Sequence, residues 1–329
     1  MSKTGNSLAE IQKFLQESDH FLVVAHVNPD GDAIGSTLAM RGILRQLGKS
    51  YTLVNESYVP ERFRFLPGSN EIRLLHDLSG RQFSHVITLD CGDRLRVGDV
   101  AELYAPGVKI CNIDHHSTND LFGVANYVDI EAAATVELLY RLVEYLELEF
   151  TLEIATCIYT GLMTDTGSFK YPNTTPEVLR QAARLLEIGV PGAQIADRVL
   201  MTNTFAQLKI LQKALETLQL SPSKKVAWLQ VSRQDLQDCE ATEDDLEGIV
   251  NYARGIEGVE VGIMFRETRD RKVKASLRSR SELDVAKIAQ QFHGGGHARA
   301  AGCTLDEPLA EAASRVVKVV ENAWEDRSK

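Results

Sequence analysis

Short apolar runs alternate with segments of helical spacing through the first half of the chain. FLVVAH (21–26), HVITLDCGD (85–93) and VKICNIDHH (108–116) each have the pattern of a buried strand that ends in polar residues, and SYTLVNE (50–56) has the pattern of another strand. DAIGSTLAMRGILRQLGK (32–49) has the spacing of a helix. This alternation is typical of a parallel sheet covered by helices, so we predict an α/β fold with helices on both faces of the sheet.

The second half of the chain predicts a smaller domain. Helical patterns continue to Gly189, after which Pro191 and Gly192 begin a weakly patterned stretch. Beyond this stretch, an adjacent strand pair (259–268 and 272–280) precedes a helix and the run HGGGHARAAG. We predict a smaller α/β second domain, with the active site in the cleft between the domains. The predicted boundaries are 1–190 for the first domain, 191–204 for a linker and 205–329 for the second domain.

Composition narrows the class of protein. With 329 residues, of which 44% are hydrophobic and 25% charged, the chain is long enough for two globular cores. No apolar run approaches the roughly 20 residues of a membrane helix and the N-terminus lacks a signal-peptide core, so we expect a soluble cytoplasmic protein. The five cysteines are far apart and form no C-x-x-C pair, which argues against disulfides and thiolate zinc sites. The net charge of −10 disfavours binding to a long nucleic acid duplex but allows a small anionic ligand.

Candidate metal ligands follow three of the predicted strands. The loops beyond the carboxyl ends of parallel strands form the binding crevice of an open sheet, so these side chains should share one site. Buried carboxylates are costly without a compensating cation. Eight carboxylate and imidazole ligands exceed what one ion takes, and without thiolates they favour two hard divalent ions. Seven of them stand at strand ends and the eighth follows a helix: His26, Asp30, Asp32, Asp90, Asp114, His115, His116 and Asp165.

A pair of ions that shares a carboxylate is an arrangement used to cleave phosphate esters. Asp90 is the candidate bridging ligand because it follows a different strand from the HVNPDGD loop. Asp30 and Asp32 are two residues apart in an extended loop, so they point to opposite sides and suit different ions. Taken alone, Asp32 could be a helix N-cap and DHH a turn. Four acidic segments, three of them at strand ends, are hard to explain as independent caps, which favours the metal site.

Four segments resemble, in this order, the motifs of the DHH phosphoesterase superfamily: HVNPDGDAIGS, LDCGD, NIDHH and GLMTDTGSF. GGGHARAAG resembles the signature of the DHHA1 domain of that superfamily, and the resemblance extends from His26 to Gly302. It implies that His116 contacts the scissile phosphate or protonates the leaving group, and that Asp114 orients an imidazole. It also implies two manganese ions, one held by His26, Asp30 and Asp90, the other by Asp32, Asp90, His115 and Asp165.

The glycine-rich run of the second domain is the candidate substrate site. Consecutive glycines let the backbone approach a ligand and turn N–H groups toward a phosphate, so Gly295, Gly296 and His297 are candidate contacts. Arg299 can add a bidentate contact to phosphate. Alternatively, the glycines form only a helix C-cap and a tight turn. The flanking strand pair supplies further cations, of which we favour Arg278: Arg266, Arg278 and Arg280.

The combination of DHH and DHHA1 motifs resembles the stand-alone enzymes called nanoRNase, or oligoribonuclease/pAp phosphatase. It implies hydrolysis of short RNA or DNA oligonucleotides to mononucleotides and removal of the 3′-phosphate of 3′-phosphoadenosine 5′-phosphate (pAp). The alternative is a phosphodiesterase for cyclic dinucleotides or their linear products, such as c-di-AMP, pApA and pGpG. Two other enzyme classes of the superfamily fit less well: its inorganic pyrophosphatases lack the GGGH loop, and its RecJ-type exonucleases are longer than this chain. A nucleotide-binding module that had lost catalysis would have substitutions among the metal ligands, and none is present here. The partners expected are these short substrates, and the chain could form a homodimer.

Overall fold

The computed structural model describes residues 7–280 and 283–328, and the chain divides into two compact units between Thr202 and Asn203. The first unit contains a six-stranded sheet. Its strands are β1 (Phe21–Ala25), β2 (Tyr51–Asn55), β3 (Arg73–Leu74), β4 (Phe83–Leu89), β5 (Tyr104–Asp114) and β6 (Ala125–Val128). The order across the sheet is β3-β2-β1-β4-β5-β6 and every neighbouring pair is parallel, which confirms the predicted α/β fold.

The α-helices of the first unit pack on one face of this sheet. They are α1 (Leu8–Glu17), α2 (Gly31–Gln46), α3 (Thr135–Tyr145), α4 (Leu152–Asp165), α5 (Pro176–Glu187) and α6 (Gly192–Ala196). Their apolar residues share a core with Phe21, Val23 and Ile87 of the sheet. The opposite face packs against short 3₁₀-helical segments, among them Arg94–Leu103, so the helices predicted for this face are 3₁₀-helices. Gly98 interrupts that segment with a φ of 64°, a conformation that an α-helix does not accommodate.

Most of the segment predicted as a linker is helical and packs with the first unit. Helix α6 continues into a π-helix at Asp197–Met201. Ile195 and Val199 are buried in the core of the first unit, one helical turn apart. This apolar pair explains why the division between the units falls near the end of the predicted linker and not at its start.

The second unit has a six-stranded sheet of its own. Its strands are β7 (Gln219–Leu220), β8 (Val226–Val231), β9 (Val261–Glu267), β10 (Val273–Ser279), β11 (Gly295–His297) and β12 (Ala300–Leu305). The order is β11-β12-β10-β9-β8-β7, with β8 and β9 parallel and the other neighbours antiparallel. The helices are α7 (Phe205–Glu216), α8 (Arg233–Asp238), α9 (Val250–Arg254), α10 (Val285–Gln290) and α11 (Leu309–Glu325).

Both faces of the second sheet are covered by helices. Helices α10 and α11 share one core with Ile263 and Leu277, whereas α7 and α9 share another with Leu229 and Met264. Across the described residues of both units, no helix has the length and the apolar character needed to span a lipid bilayer.

Candidate metal centre

Three neighbouring strands of the first sheet deliver the predicted ligands to one edge. His26 directly follows β1, Asp90 directly follows β4, and Asp114 is the last residue of β5. Because β1, β4 and β5 are adjacent and parallel, their carboxyl ends lie side by side. Asp165, the last residue of α4, reaches the same place, since its Oδ2 lies 3.5 Å from His115 Nε2. The structure therefore brings the eight predicted residues of the first domain together.

Asp90 occupies the centre of the cluster and is almost completely buried. Its Oδ2 lies 3.4 Å from His26 Nε2, and its Oδ1 lies 3.6 Å from His115 Nε2 and 3.5 Å from His116 Nδ1. The two oxygens of one carboxylate therefore face different imidazoles. The backbone of Asp90 has a φ of 58°, which is uncommon for a residue other than glycine and is found most often at functional sites.

The donor atoms form three groups, each compact enough to hold a metal ion. Within each group the candidate ligand atoms lie within 4.8 Å of one another. Each is a carboxylate oxygen or an imidazole nitrogen, a donor set that suits manganese, iron or zinc. In residues 7–280 and 283–328, no lysine or arginine forms an ion pair with these carboxylates, so the donor set fits a cation. The groups are His26, Asp30 and Asp90; Asp32, His115 and Asp165; and Asp90, His115 and His116.

Backbone contacts orient two of the histidines for metal binding. His26 Nδ1 donates a hydrogen bond to the Val27 carbonyl at 2.8 Å, and His115 Nδ1 donates one to the Ala132 carbonyl at 3.2 Å. In both rings Nε2 then points toward the carboxylates. A ring that donates from Nδ1 presents the unprotonated Nε2 as a metal ligand.

His116 is held differently, by a carboxylate. Its Nδ1 donates to Asp114 Oδ1 at 2.8 Å, and Asp114 is completely buried. Asp114 Oδ2 accepts a second hydrogen bond from Asn119 Nδ2 at 2.6 Å, and Asn119 also donates to Asn112 Oδ1. A buried chain of polar side chains therefore fixes the orientation of the His116 ring.

Asp30 and Asp32 each accept two backbone hydrogen bonds, and these bonds show which of the two is the helix cap and which is the buried carboxylate. Asp30 is the N-cap of α2, because its side chain accepts hydrogen bonds from the backbone N–H groups of Asp32 and Ala33. Asp32, which the cap interpretation would have used, is instead buried inside the cluster. Its oxygens accept from the backbone N–H groups of Thr135 at 2.6 Å and Val136 at 3.0 Å.

The electrostatics of the cluster are those of crowded carboxylates. Burial, with repulsion from Asp90 and Asp30, raises the pKa of Asp165 to about 8, and burial beside Asp90 also raises the pKa values of Asp30 and Asp32. Burial opposes ionisation of Asp90, but hydrogen bonding to His26 and the charges of the imidazoles lower its pKa below the ordinary value. Burial disfavours the charged form of His116, yet the hydrogen bond to Asp114 and the charge of Asp90 raise its pKa to about 9.

Two residues of the site carried no recognisable sequence signal. Thr135 donates through its hydroxyl to Asp90 Oδ1 at 3.0 Å, but in the sequence it lies inside a helical pattern without a motif. Asn173 donates to the carbonyls of Ala133 at 3.1 Å and Asp165 at 3.2 Å, so it connects the start of α3 with the end of α4. The sequence offered one hint of such residues: a buried carboxylate such as Asp32 must accept hydrogen bonds, so donors from elsewhere in the chain had to lie beside it.

The glycine-rich run of the second unit is a β-hairpin and not the loop that was predicted. Gly295–His297 forms β11 and pairs antiparallel with β12, in a register that sets His297 opposite Ala300. Gly296 has a φ of 139°, and a Cβ atom there would lie 2.5 Å from the Ala300 carbonyl oxygen, so this glycine is required by the pairing. A Cβ atom at Gly295 would meet open space. The side chain of His297 lies outside the described part of the structure.

The predicted arginines differ in their surroundings. Arg266 forms an ion pair with Glu243 at 2.6 Å, which neutralises it within the second unit. Arg278 is opposite Ala300 in the register of β10 and β12, which places it beside the hairpin. Arg299 lies in the hairpin turn, is exposed, and donates from Nη1 to the Leu283 carbonyl at 3.2 Å. Arg278 and Arg299 are therefore both near the hairpin.

Comparison with known proteins assigns both units. Residues 20–162 match the DHH family, N-terminal domain, and residues 224–326 match the DHHA1 domain. The bifunctional oligoribonuclease and PAP phosphatase NrnA of Thermus thermophilus is 38% identical over 302 residues, which are 91% of this chain and 88% of that protein. The chain belongs to the DHH family.

Further relatives of this DHH protein resemble it along nearly their full length. The Bacillus subtilis protein that is also named bifunctional oligoribonuclease and PAP phosphatase NrnA is 26% identical, over 90% of this chain and 92% of that one. The crystal structure of an exopolyphosphatase-related protein from Bacteroides fragilis has a TM-score of 0.89 and 27% identity, covering 99% of this chain and 98% of that chain. The match to the DHH domain includes His26 to His116, and Asp165 lies just beyond its end.

Proposed function

We propose that this DHH protein is a phosphoesterase that uses two divalent ions to hydrolyse short RNA or DNA oligonucleotides to mononucleotides and to remove the 3′-phosphate of pAp. The observation that carries the proposal is the cluster around Asp90, in which imidazoles face both oxygens of one buried carboxylate. The choice of substrates rests on the relatives named oligoribonuclease and PAP phosphatase.

We propose manganese as the metal, because the donors combine carboxylates with a few imidazoles and include no thiolate. His26, Asp30 and Asp90 would hold one ion, and Asp90 would be shared with the other. Divalent ions bound there would polarise the phosphate ester and make water a better nucleophile. The remaining ligands of the second ion would be Asp32, His115 and Asp165.

His116 would act on the substrate, either as a contact to the scissile phosphate or as the acid that protonates the leaving oxygen. The hydrogen bond to Asp114 fixes its ring and favours the protonated imidazole, so that in the metal-free protein the pKa of His116 rises to about 9. A protonated imidazole is the form that either role requires. Asp114 is then a positioning residue, since it contacts the imidazole and is completely buried.

The DHHA1 domain would bind the part of the substrate that is not cleaved. Gly295 has open space where a side chain would be, so a ligand can approach its backbone closely. Arg278 and Arg299 near the hairpin would supply cations for phosphate groups, with Gly296 and His297 forming the rest of the contact. A long strand needs an extended basic and aromatic track, and a chain with 7% aromatic residues and a net charge of −10 suits a few nucleotides better.

The cysteines support a site of action in the cytoplasm. All five are buried and unpaired, which suits a compartment that keeps thiols reduced.

A hydrolysis panel tests the proposal directly. The wild-type protein with Mn²⁺ is incubated with pAp, pApA, a five-nucleotide RNA, cyclic di-AMP and pyrophosphate, and products are separated by chromatography. Release of phosphate from pAp and of mononucleotides from pApA and the short RNA is the expected result. Asp90→Asn serves as the matched control, because it removes one charge and keeps the side-chain shape. Turnover of cyclic di-AMP alone would replace the proposal with a cyclic dinucleotide phosphodiesterase.

A further inference from the structure

The first turn of α3 contacts carboxylates that come from two other elements. The backbone N–H groups of Thr135 and Val136 bond both oxygens of Asp32, at 2.6 and 3.0 Å. The Thr135 hydroxyl bonds Asp90 Oδ1 at 3.0 Å. Thr135, Asp32 and Asp90 are all almost completely buried. One threonine therefore contacts two of the proposed metal ligands, one through its backbone and one through its side chain.

This turn is itself held in place by further polar contacts. Glu137 accepts a hydrogen bond from the Ala133 backbone N–H at 2.8 Å and pairs with Arg141, which also bonds Asp129 at 2.6 Å. Asn173 bonds the carbonyl of Ala133 from the other side. With the backbone fixed before and after Thr135, its hydroxyl has a defined position relative to the carboxylates.

We propose that Thr135 is a positioning residue that holds the Asp90 carboxylate in its metal-binding orientation. The inference rests on the proposed function, in which Asp90 is shared by both ions. Asp90 lies among carboxylates that repel it, and its Oδ1 must face His115 while its Oδ2 faces His26. A donor at a fixed position on the Oδ1 side opposes rotation of this carboxylate before a metal arrives, so the ligand is preorganised.

Thr135→Val isolates the hydroxyl contact. Valine has the shape of threonine and keeps the backbone N–H that bonds Asp32, so only the hydrogen bond to Asp90 is lost. Titration calorimetry of the metal-free protein with Mn²⁺ should show a fall in affinity of about 10- to 100-fold, the usual effect of removing a partner of a metal ligand. Thr135→Ser keeps a hydroxyl and should bind Mn²⁺ nearly as tightly as wild type.

Thr37→Val is the matched control. Thr37 is also buried, and its hydroxyl bonds the Ala33 carbonyl of its own helix at 2.9 Å, away from the metal-ligand carboxylates. This variant should change thermal stability without changing Mn²⁺ affinity. If Thr135→Val does not fold, Thr135→Ala provides the same comparison, because it also retains the backbone donor.

The kinetic readout separates positioning from a purely structural role. At saturating Mn²⁺, the kcat of Thr135→Val should approach that of wild type and its KM for pAp should be unchanged, because the defect lies in metal binding. Wild-type Mn²⁺ affinity in both Thr135→Val and Thr135→Ala, or a serine variant as weak as the valine variant, would overturn the proposal. If wild type binds two ions and hydrolyses nothing in the panel, the proposed function fails, while the calorimetric comparison still decides the role of Thr135.

Discussion

Without divalent ions, the DHH domain should lose stability as the pH rises. Folding raises the pKa of Asp165 to about 8, that of His116 to about 9, and those of Asp30, Asp32 and His26 above their ordinary values. A group whose pKa is raised by folding stabilises the protein below its unfolded pKa, and this stabilisation is lost as the pH rises through the folded pKa. The five shifts therefore act in the same direction, and the titrations of Asp165 and His116 extend the loss of stability up to about pH 9.

Asp165 sets the scale of the effect. Its pKa rises from an ordinary value of 3.8 to about 8, and its side chain is 28% exposed, so solvent screens it only in part. This difference corresponds to at most about 6 kcal/mol of stability, of which at most about 4 kcal/mol is lost above pH 5, and relaxation of the crowded site should leave about 1 to 3 kcal/mol of that loss. For a unit of this size, the melting temperature should fall by about 3 to 10 °C between pH 5 and pH 9.

The two units can be followed separately in one experiment. The tryptophans, Trp228 and Trp324, both lie in the second unit, so their fluorescence reports its unfolding. Far-UV circular dichroism reports both units, and the transition that fluorescence does not detect belongs to the DHH domain. Protein treated with EDTA is melted at about pH 5.5, 7 and 8.5 at constant ionic strength, a range that brackets the titration of Asp165.

A matched variant and added metal make the test specific. Asp165→Asn removes one of the groups with a raised pKa and should make the pH dependence of the DHH transition shallower. Mn²⁺ should reverse the trend, because metal binding displaces protons and becomes tighter as the pH rises. A metal-free DHH domain whose melting temperature stays constant or increases with pH would refute the reasoning.

The other predictions concern individual residues of the two domains. Asp90→Asn should abolish turnover in a folded protein, and metal analysis should find fewer than two ions; two retained ions with intact activity would contradict the bridging role. His116→Ala should lower kcat by about 100- to 10,000-fold with little change in Mn²⁺ affinity. His115→Ala should instead weaken one metal site, and calorimetry with steady-state kinetics would expose the reverse behaviour. The kcat/KM of wild type should fall steeply with RNA length, and Arg299→Ala should reduce it more for a dinucleotide than for a twenty-nucleotide RNA. Equal rates on both RNAs, or an unaffected variant, would argue against substrate binding by the DHHA1 hairpin.

Local pattern was sufficient to predict that the candidate metal ligands share one edge of the sheet. His26 and Asp90 directly follow buried apolar runs, and Asp114 ends one, so each could be assigned to a strand end without tertiary information. The parallel arrangement then requires these ends to meet at one edge of the sheet. The apolar positions of α2 likewise carry the helical period, and this helix, Gly31–Gln46, begins and ends close to the predicted 32–49.

Short elements were harder to predict because they contain too few residues for a period. Strands β3 and β6 have two and four residues, and neither was predicted. The glycine run reads as a loop, yet Gly295–His297 becomes a strand because β12 offers it a partner. Pairing of this kind is decided by the neighbouring chain and not by the residues themselves.

Side-chain partners far apart in sequence depended entirely on the tertiary structure. The backbone N–H of Thr135 bonds Asp32 across 103 positions, and no local spacing relates the two. Arg266 was one of three candidate cations on the strand pair, and only the fold shows that Glu243 lies beside it. Sequence periodicity indicates which face of an element is buried. The partner of a buried polar group depends instead on which elements pack together, and this packing is defined only once the sheet and helices have assembled.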